Sequence, residues 1–156
     1  MAQSDDNYAL RSTAFKLLAR RSKDDPETLP LLKQMAQSED DSAVRCAAVE
    51  ELARGWKDDP ETLSIFKQMA QSDHKSPVRF SAVQELARGW KNDPKTLSIL
   101  KQRAQSEDDS AVRETAIKLY PDRPKTLDIL RDRFVNDPDE KVRNFAQKKL
   151  TKLDKL

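Results

Sequence analysis

The sequence holds one cysteine, one histidine and two glycines in 156 residues, and aromatic side chains make up only 6% of it. Each shortage excludes something. Cys46 has no partner for an internal disulfide, and Cys46 with His74 completes no zinc set. The two glycines, Gly55 and Gly89, lie too far apart for the G-x-x-x-x-G-K-[ST] loop that cradles phosphates. A Ser-His-acid triad would have to use His74, and no nucleophile elbow lies near it. No apolar run approaches the length of a membrane span. The polar, acidic start "MAQSDDNYAL" does not resemble a secretory leader. A reducing, cytoplasmic setting follows as the expectation. Nor is there an excess of one charge. The net charge is +2, which gives no general attraction to nucleic acid or membrane. The first 112 residues carry 17 basic and 19 acidic side chains and the last 44 carry 12 and 8, so only the end, "KKLTKLDKL", is mildly basic.

What the sequence does have is repetition. Residues 42–75 and 76–109 are identical at 23 of 34 positions. An aliphatic-Arg dipeptide marks the period, ending at Arg11, Arg45, Arg79, Arg113 and Arg143. Six residues before these lie Asp5, Glu39, Asp73, Glu107 and Asp137, and three residues after them lie Ala14, Ala48, Ala82, Ala116 and Ala146. The array divides into a half-unit at 1–22 and units near 23–56, 57–90, 91–121 and 122–156.

Each unit reads as two helices, a short A type and a B type. In "DPETLSIFKQMAQ", Asp59 is a good N-cap, Pro60 suits the first helical position, and Leu63, Phe66 and Ala70 share a face. In "SPVRFSAVQELAR", Ser76 is expected to cap and Pro77 to open the helix, with Val78, Ala82 and Leu86 on one stripe. Gly55 and Gly89 are expected in the left-handed conformation just past each B-type helix, with Trp56 and Trp90 folding back as wedges between units. Pro121 replaces the longer "LARGWKNDP" phrase and ends its helix early, which predicts a tighter corner. Period-2 alternation is absent. The fold class is therefore all-α: a solenoid of about nine helices, no sheet, beginning and ending with a B-type helix. One helix pair cannot bury its own apolar faces, but stacked pairs share a continuous core.

The B-type pattern, an acid before "VR" with alanine three residues later, resembles the HEAT repeat family from Asp5 to Leu150. The phrase "ELARGWKDDPETL" also looks like helical repeats near the C-termini of bacterial, notably cyanobacterial, NACHT-type NTPases. The 34-residue period equals that of tetratricopeptide repeats, whose W-x2-L-G-x2-Y signature is missing. The HEAT resemblance implies acid–arginine pairs within and between neighbouring units, and a concave face lined by B-type helices.

The five arginines and their acids are read as a structural ladder, each arginine pairing with the acid six residues earlier, rather than as a phosphate site. "KDDP" and "SEDD" read as helix caps; "SEDD" lacks the spacing of a calcium loop. No catalytic, cofactor or metal residues are expected. The expected role is a non-catalytic scaffold, a monomer that binds another protein. Contact residues are sought where the scaffold varies: Glu50, Gln84 and Lys118 at one repeat position, with Arg54 and Arg88 a turn further on. The alternatives are a nucleic-acid-binding module, against which the neutral central units speak, a bilin-attaching enzyme, for which no residue set is present, and a repeat fragment of a NACHT-type receptor.

Overall fold

The computed structural model describes the backbone of residues 2–121 and 126–155, and the side chains of 9–121 and 126–155. Among these residues every regular element is an α-helix. The order is α1 (Ala2–Arg21), α2 (Thr28–Ser38), α3 (Ser42–Gly55), α4 (Pro60–Ser72), α5 (Ser76–Gly89), α6 (Pro94–Ser106), α7 (Ser110–Leu119), α8 (Thr126–Asn136) and α9 (Glu140–Leu153). Odd numbers are B-type helices and even numbers A-type, so the expected all-α alternation is present. The chain forms two compact units, Met1–Gly89 and Trp90–Leu156.

In the first unit α2 packs on α3 and α4 on α5, while α1, α3 and α5 stack on one another. The stripe Val78, Ala82 and Leu86 has no solvent exposure, and Ala48 and Leu52 repeat this on α3. Alanine in mid-stripe lets the facing helix approach closely, and Leu32, Phe66 and Met69 from the A-type helices fill the space beside it. The second unit repeats the scheme with α6 on α7, α8 on α9, and α7 against α9.

The acids at the helix starts are caps. Asp59 accepts from the Glu61 N–H and Asp93 from the Thr96 N–H, each just before a proline in the first turn. Asp41, Asp109 and Asp139 cap α3, α7 and α9. The expected cap at Ser76 is corrected: Ser76 is the first residue of α5, as Ser42 is of α3. The capping position is one residue earlier, where α3, α7 and α9 are preceded by aspartate and α5 by Lys75.

The expected glycine geometry is also corrected. Gly55 and Gly89 are the last residues of α3 and α5, and no glycine has a positive φ. Trp56 itself is the C-cap, at φ −135° and ψ 38°, its N–H donating to the Leu52 carbonyl. The Trp56 carbonyl then accepts from the Asp59 N–H at 3.2 Å, and Trp90 accepts from Asp93 at 3.0 Å. This Trp-to-Asp hydrogen bond closes the turn, so no left-handed residue is needed. Room is short only at Gly89, where a Cβ would lie 3.3 Å from Lys57 Cε; one at Gly55 would lie 3.7 Å from Lys23 Cε, an ordinary contact. Both tryptophans are half-buried.

Helix α7 stops at Leu119 with 10 residues, where α3 and α5 have 14. The tighter corner expected after Pro121 falls on 122–125, outside the described residues. The freed end of α7 has a clamp from α9: Lys149 Nζ donates to the carbonyls of Ile117 (2.9 Å), Lys118 (3.2 Å) and Tyr120 (3.4 Å). A cation at a helix C-terminus meets both the unsatisfied carbonyls and the negative end of the dipole.

Candidate functional site

Two sets of charged side chains rise from the B-type helices. The first is the arginine ladder at their N-terminal ends. Arg45 forks onto the Asp73 carboxylate, with Nε at 3.0 Å and Nη2 at 2.9 Å, while Nη1 donates to the carbonyls of Glu39 (2.7 Å) and Asp40 (3.1 Å). Arg113 does the same in the second unit, reaching Asp137 at 2.9 and 2.8 Å and the carbonyls of Glu107 and Asp108 at 2.8 and 2.9 Å. The pairing expected from sequence is therefore corrected. An arginine takes the backbone carbonyl of the acid six residues earlier and the carboxylate of the acid one repeat later. The same backbone bond recurs at Arg79, which donates to the Asp73 carbonyl at 2.7 Å, and at Arg143, which donates to the Asp137 carbonyl at 2.7 Å. The reason lies in the loop. Each acid turns one oxygen onto its own loop, Asp73 accepting from the Lys75 N–H at 2.9 Å and Asp137 from the Asp139 N–H at 3.0 Å, which leaves its carboxylate facing the preceding repeat. Glu107 keeps a partner of its own helix pair, Arg103 at 2.8 Å, and lies buried; Glu39 is half-buried. Arg11 is exposed on α1, and the side chain of Asp5 lies outside the described residues. Bidentate pairs of this kind are strong and directional, and every donor of Arg113's fork points into protein. The ladder is structural in its geometry, with no open side for a ligand at Arg45 or Arg113.

The second set lies at the other end of the B-type helices and forms a cleft of about 410 Å³ across α1, α3 and α5. Its walls carry Arg20 from α1, Glu50, Glu51 and Arg54 from α3, and Gln84, Glu85 and Arg88 from α5. Four of the residues expected to contact a partner, Glu50, Arg54, Gln84 and Arg88, are thus brought together. Lys118 belongs to the second unit, exposed on α7.

At the floor is Glu51, whose carboxylate is buried. Arg20 grips it from the neighbouring helix, Nε at 3.1 Å and Nη2 at 2.9 Å, and Arg54 reaches it from one turn along α3. Lys16 on α1 pairs with Glu50 at 2.5 Å, and Arg88 with Glu85 at 3.3 Å. Burial pushes the Glu85 carboxyl above the usual range; Arg88 pulls it down and Glu50 adds to the rise. Such a wall offers guanidinium donors and carboxylate acceptors side by side, with both signs half open to solvent. It contains no activated nucleophile. The nearby Cys46 thiol is half-buried, and desolvation pushes it up, against a hydrogen bond from Ser81. His74 is exposed in the loop before α5, its ring 3.8 Å from Asp73. Among the described residues no three His, Cys, Asp or Glu side chains gather as a metal set, and no helix is long and apolar enough to cross a membrane.

A family model described as HEAT repeats matches residues 1–87 and 41–120. The chain belongs to the HEAT-repeat family. Comparison with the curated proteins and with the solved structures finds no match. HEAT repeats generally serve as protein-interaction scaffolds and are typically non-catalytic. Within this HEAT array the sequence reading passed over Arg20, Glu51 and Glu85, the residues that organise the cleft. The signal for them was present in "EELAR" and "QELAR": an acid three residues before an arginine, twice, at the same repeat position.

Proposed function

We propose that this HEAT array is a non-catalytic scaffold that seats a partner protein on its B-type helices, with the charged cleft as the contact. The observation that carries the reading is the cleft itself: side chains of both signs from three successive B-type helices converge around the buried, doubly gripped Glu51. A partner suited to it presents a polar segment with acidic and basic side chains in alternation. Rim charges of this type set specificity and association rate more than raw affinity. The wording shared with NACHT-type NTPase repeats supports placing such a module on the recognition side of a receptor, a reading that the neighbouring reading frames of the gene would test.

The test is affinity capture from the native host on the immobilised chain, followed by charge reversal. Glu50→Lys combined with Arg88→Glu is expected to abolish recovery of the captured protein while the thermal midpoint stays within about 2 °C, since both side chains are half-exposed or more. Undiminished capture by the double variant rules out the cleft as the contact.

A further inference from the structure

A second surface lies in the first unit, away from the charged cleft. It is an apolar groove of about 430 Å³ between α1 and α2, lined by Phe15, Leu18, Leu31, Leu32 and Met35, with Asp25 and Glu27 at one end. The internal repeat shows what such a groove holds. One repeat later the corresponding groove lies between α3 and α4, and α2 packs on both of those helices. The equivalent residues differ in exposure accordingly. Leu18 is 65% exposed where Leu52 is 0%, and Leu31 is 52% exposed where Ile65 is 4%. Leu10, 68% exposed, stands where Val44 is 6%. No described helix covers this stripe of α1.

Charge repeats the message. In the covered groove, Lys33 of α2 reaches across to Asp59 at 2.9 Å and Glu61 at 3.1 Å. One repeat earlier the equivalents of that acid pair are Asp25 and Glu27, both exposed, with no ion pair among the described residues. The chain therefore carries both halves of an A-type docking site, an apolar slot and an acidic clasp, and its own α2 displays the ligand that fits: a helix with an apolar stripe and a lysine placed as Lys33 is.

We propose that the α1–α2 groove docks an amphipathic helix of A-type pattern donated by a partner protein, its lysine seated on Asp25 and Glu27. This is recognition by helix in groove, in which apolar anchors at i, i+3, i+4 and i+7 supply affinity and the clasp fixes register and direction.

The probe is a peptide of residues 59–72, the chain's own α4 sequence, held helical by a lactam between positions 64 and 68, which are exposed on α4. Titrated onto the full chain, it is expected to bind saturably. Leu18→Glu in the chain should weaken it roughly tenfold or more, as loss of a central apolar anchor does. Asp25→Lys with Glu27→Lys should weaken it roughly fivefold, and a Lys67→Glu peptide should restore binding to that variant. Leu18 is exposed, so the variant should keep its circular dichroism and melting point, which separates lost docking from lost folding. The proposal is overturned by absence of saturable binding, by a Leu18→Glu chain that binds as well as wild type, or by failure of the charge swap. It is overturned equally by sedimentation showing a dimer that Leu18→Glu returns to monomer, for then the occupant is a second copy.

Discussion

At the scale of single residues, two kinds of position stand out because their neighbours, not their type, decide their effect. Gly55 ends α3 with negative φ and ordinary contact distance to Lys23. An alanine there fits, and it restricts the unfolded chain; Gly55→Ala is expected to gain about 0.4–1 kcal/mol, read as a rise of about 2 °C in the thermal midpoint. A loss of stability instead would restore the left-handed role that the sequence suggested. The second kind is a threonine at the start of the A-type helices. Thr28 Oγ donates to the Ser22 carbonyl at 2.5 Å, whereas the hydroxyls of Thr62 and Thr96 are buried with no partner. The Ser22 carbonyl accepts from the Asp25 N–H as well as from Thr28, whereas the Trp56 carbonyl, at the same repeat position, accepts from the Asp59 N–H and not from Thr62. Thr62→Val should therefore gain about 1 kcal/mol and Thr28→Val lose about 1 kcal/mol, measured by urea unfolding with unchanged m-value.

At the scale of elements, the ladder and the cleft behave oppositely under substitution. The Arg113–Asp137 pair is buried on both sides, so Arg113→Ala leaves the carboxylate with only the longer Arg133 contact at 3.5 Å and the Asp139 N–H, and is expected to cost about 3 kcal/mol, while Arg113→Met with Asp137→Leu recovers much of it. Equal losses in single and double variants would show that the pair is not the unit of stability. In the cleft the test is pH. Glu85 has a folded pKa raised mainly by burial. The stability tied to its proton is fully present below the unfolded value near 4.5 and is lost as pH rises through the folded value. Glu85→Gln should thus match wild type near pH 4 and exceed it near pH 7; a difference that grows toward acid would contradict the assignment. Sequence alone placed the elements well, because caps, prolines and a four-residue apolar period all act within one helix. It misassigned the arginine partners, because which carboxylate lies nearest depends on the stacking of one repeat on the next.

At the scale of the molecule, stability in a repeat array is a sum of local and neighbour terms. Each compact unit here has its own core, around Phe66, Val78 and Leu86 in one and around Leu100, Val112 and Leu130 in the other. Arg113→Ala is therefore expected to speed amide exchange throughout α6–α9 while leaving α2–α4 nearly unchanged. Uniform acceleration along the whole chain would mean that a single cooperative unit unfolds. The end clamp of Lys149 belongs to this scale too. It stands at the repeat position held by Glu51 and Glu85 elsewhere, and the change from acid to lysine accompanies the shortened α7 whose carbonyls it takes.

By itself the sequence determined that the chain is all-helical, that A- and B-type helices alternate with a period near 34, and where most helices start and stop. All of these follow from local rules: hydrophobic period, capping chemistry and the fixed geometry of proline. Tertiary structure alone decided three further matters. It set which acid each arginine holds, sank Glu51 beneath two arginines while leaving Glu50 at the rim, and left Leu18 in solvent where Leu52 is sealed. Those outcomes turn on what packs against a residue, and identical repeat positions meet different neighbours.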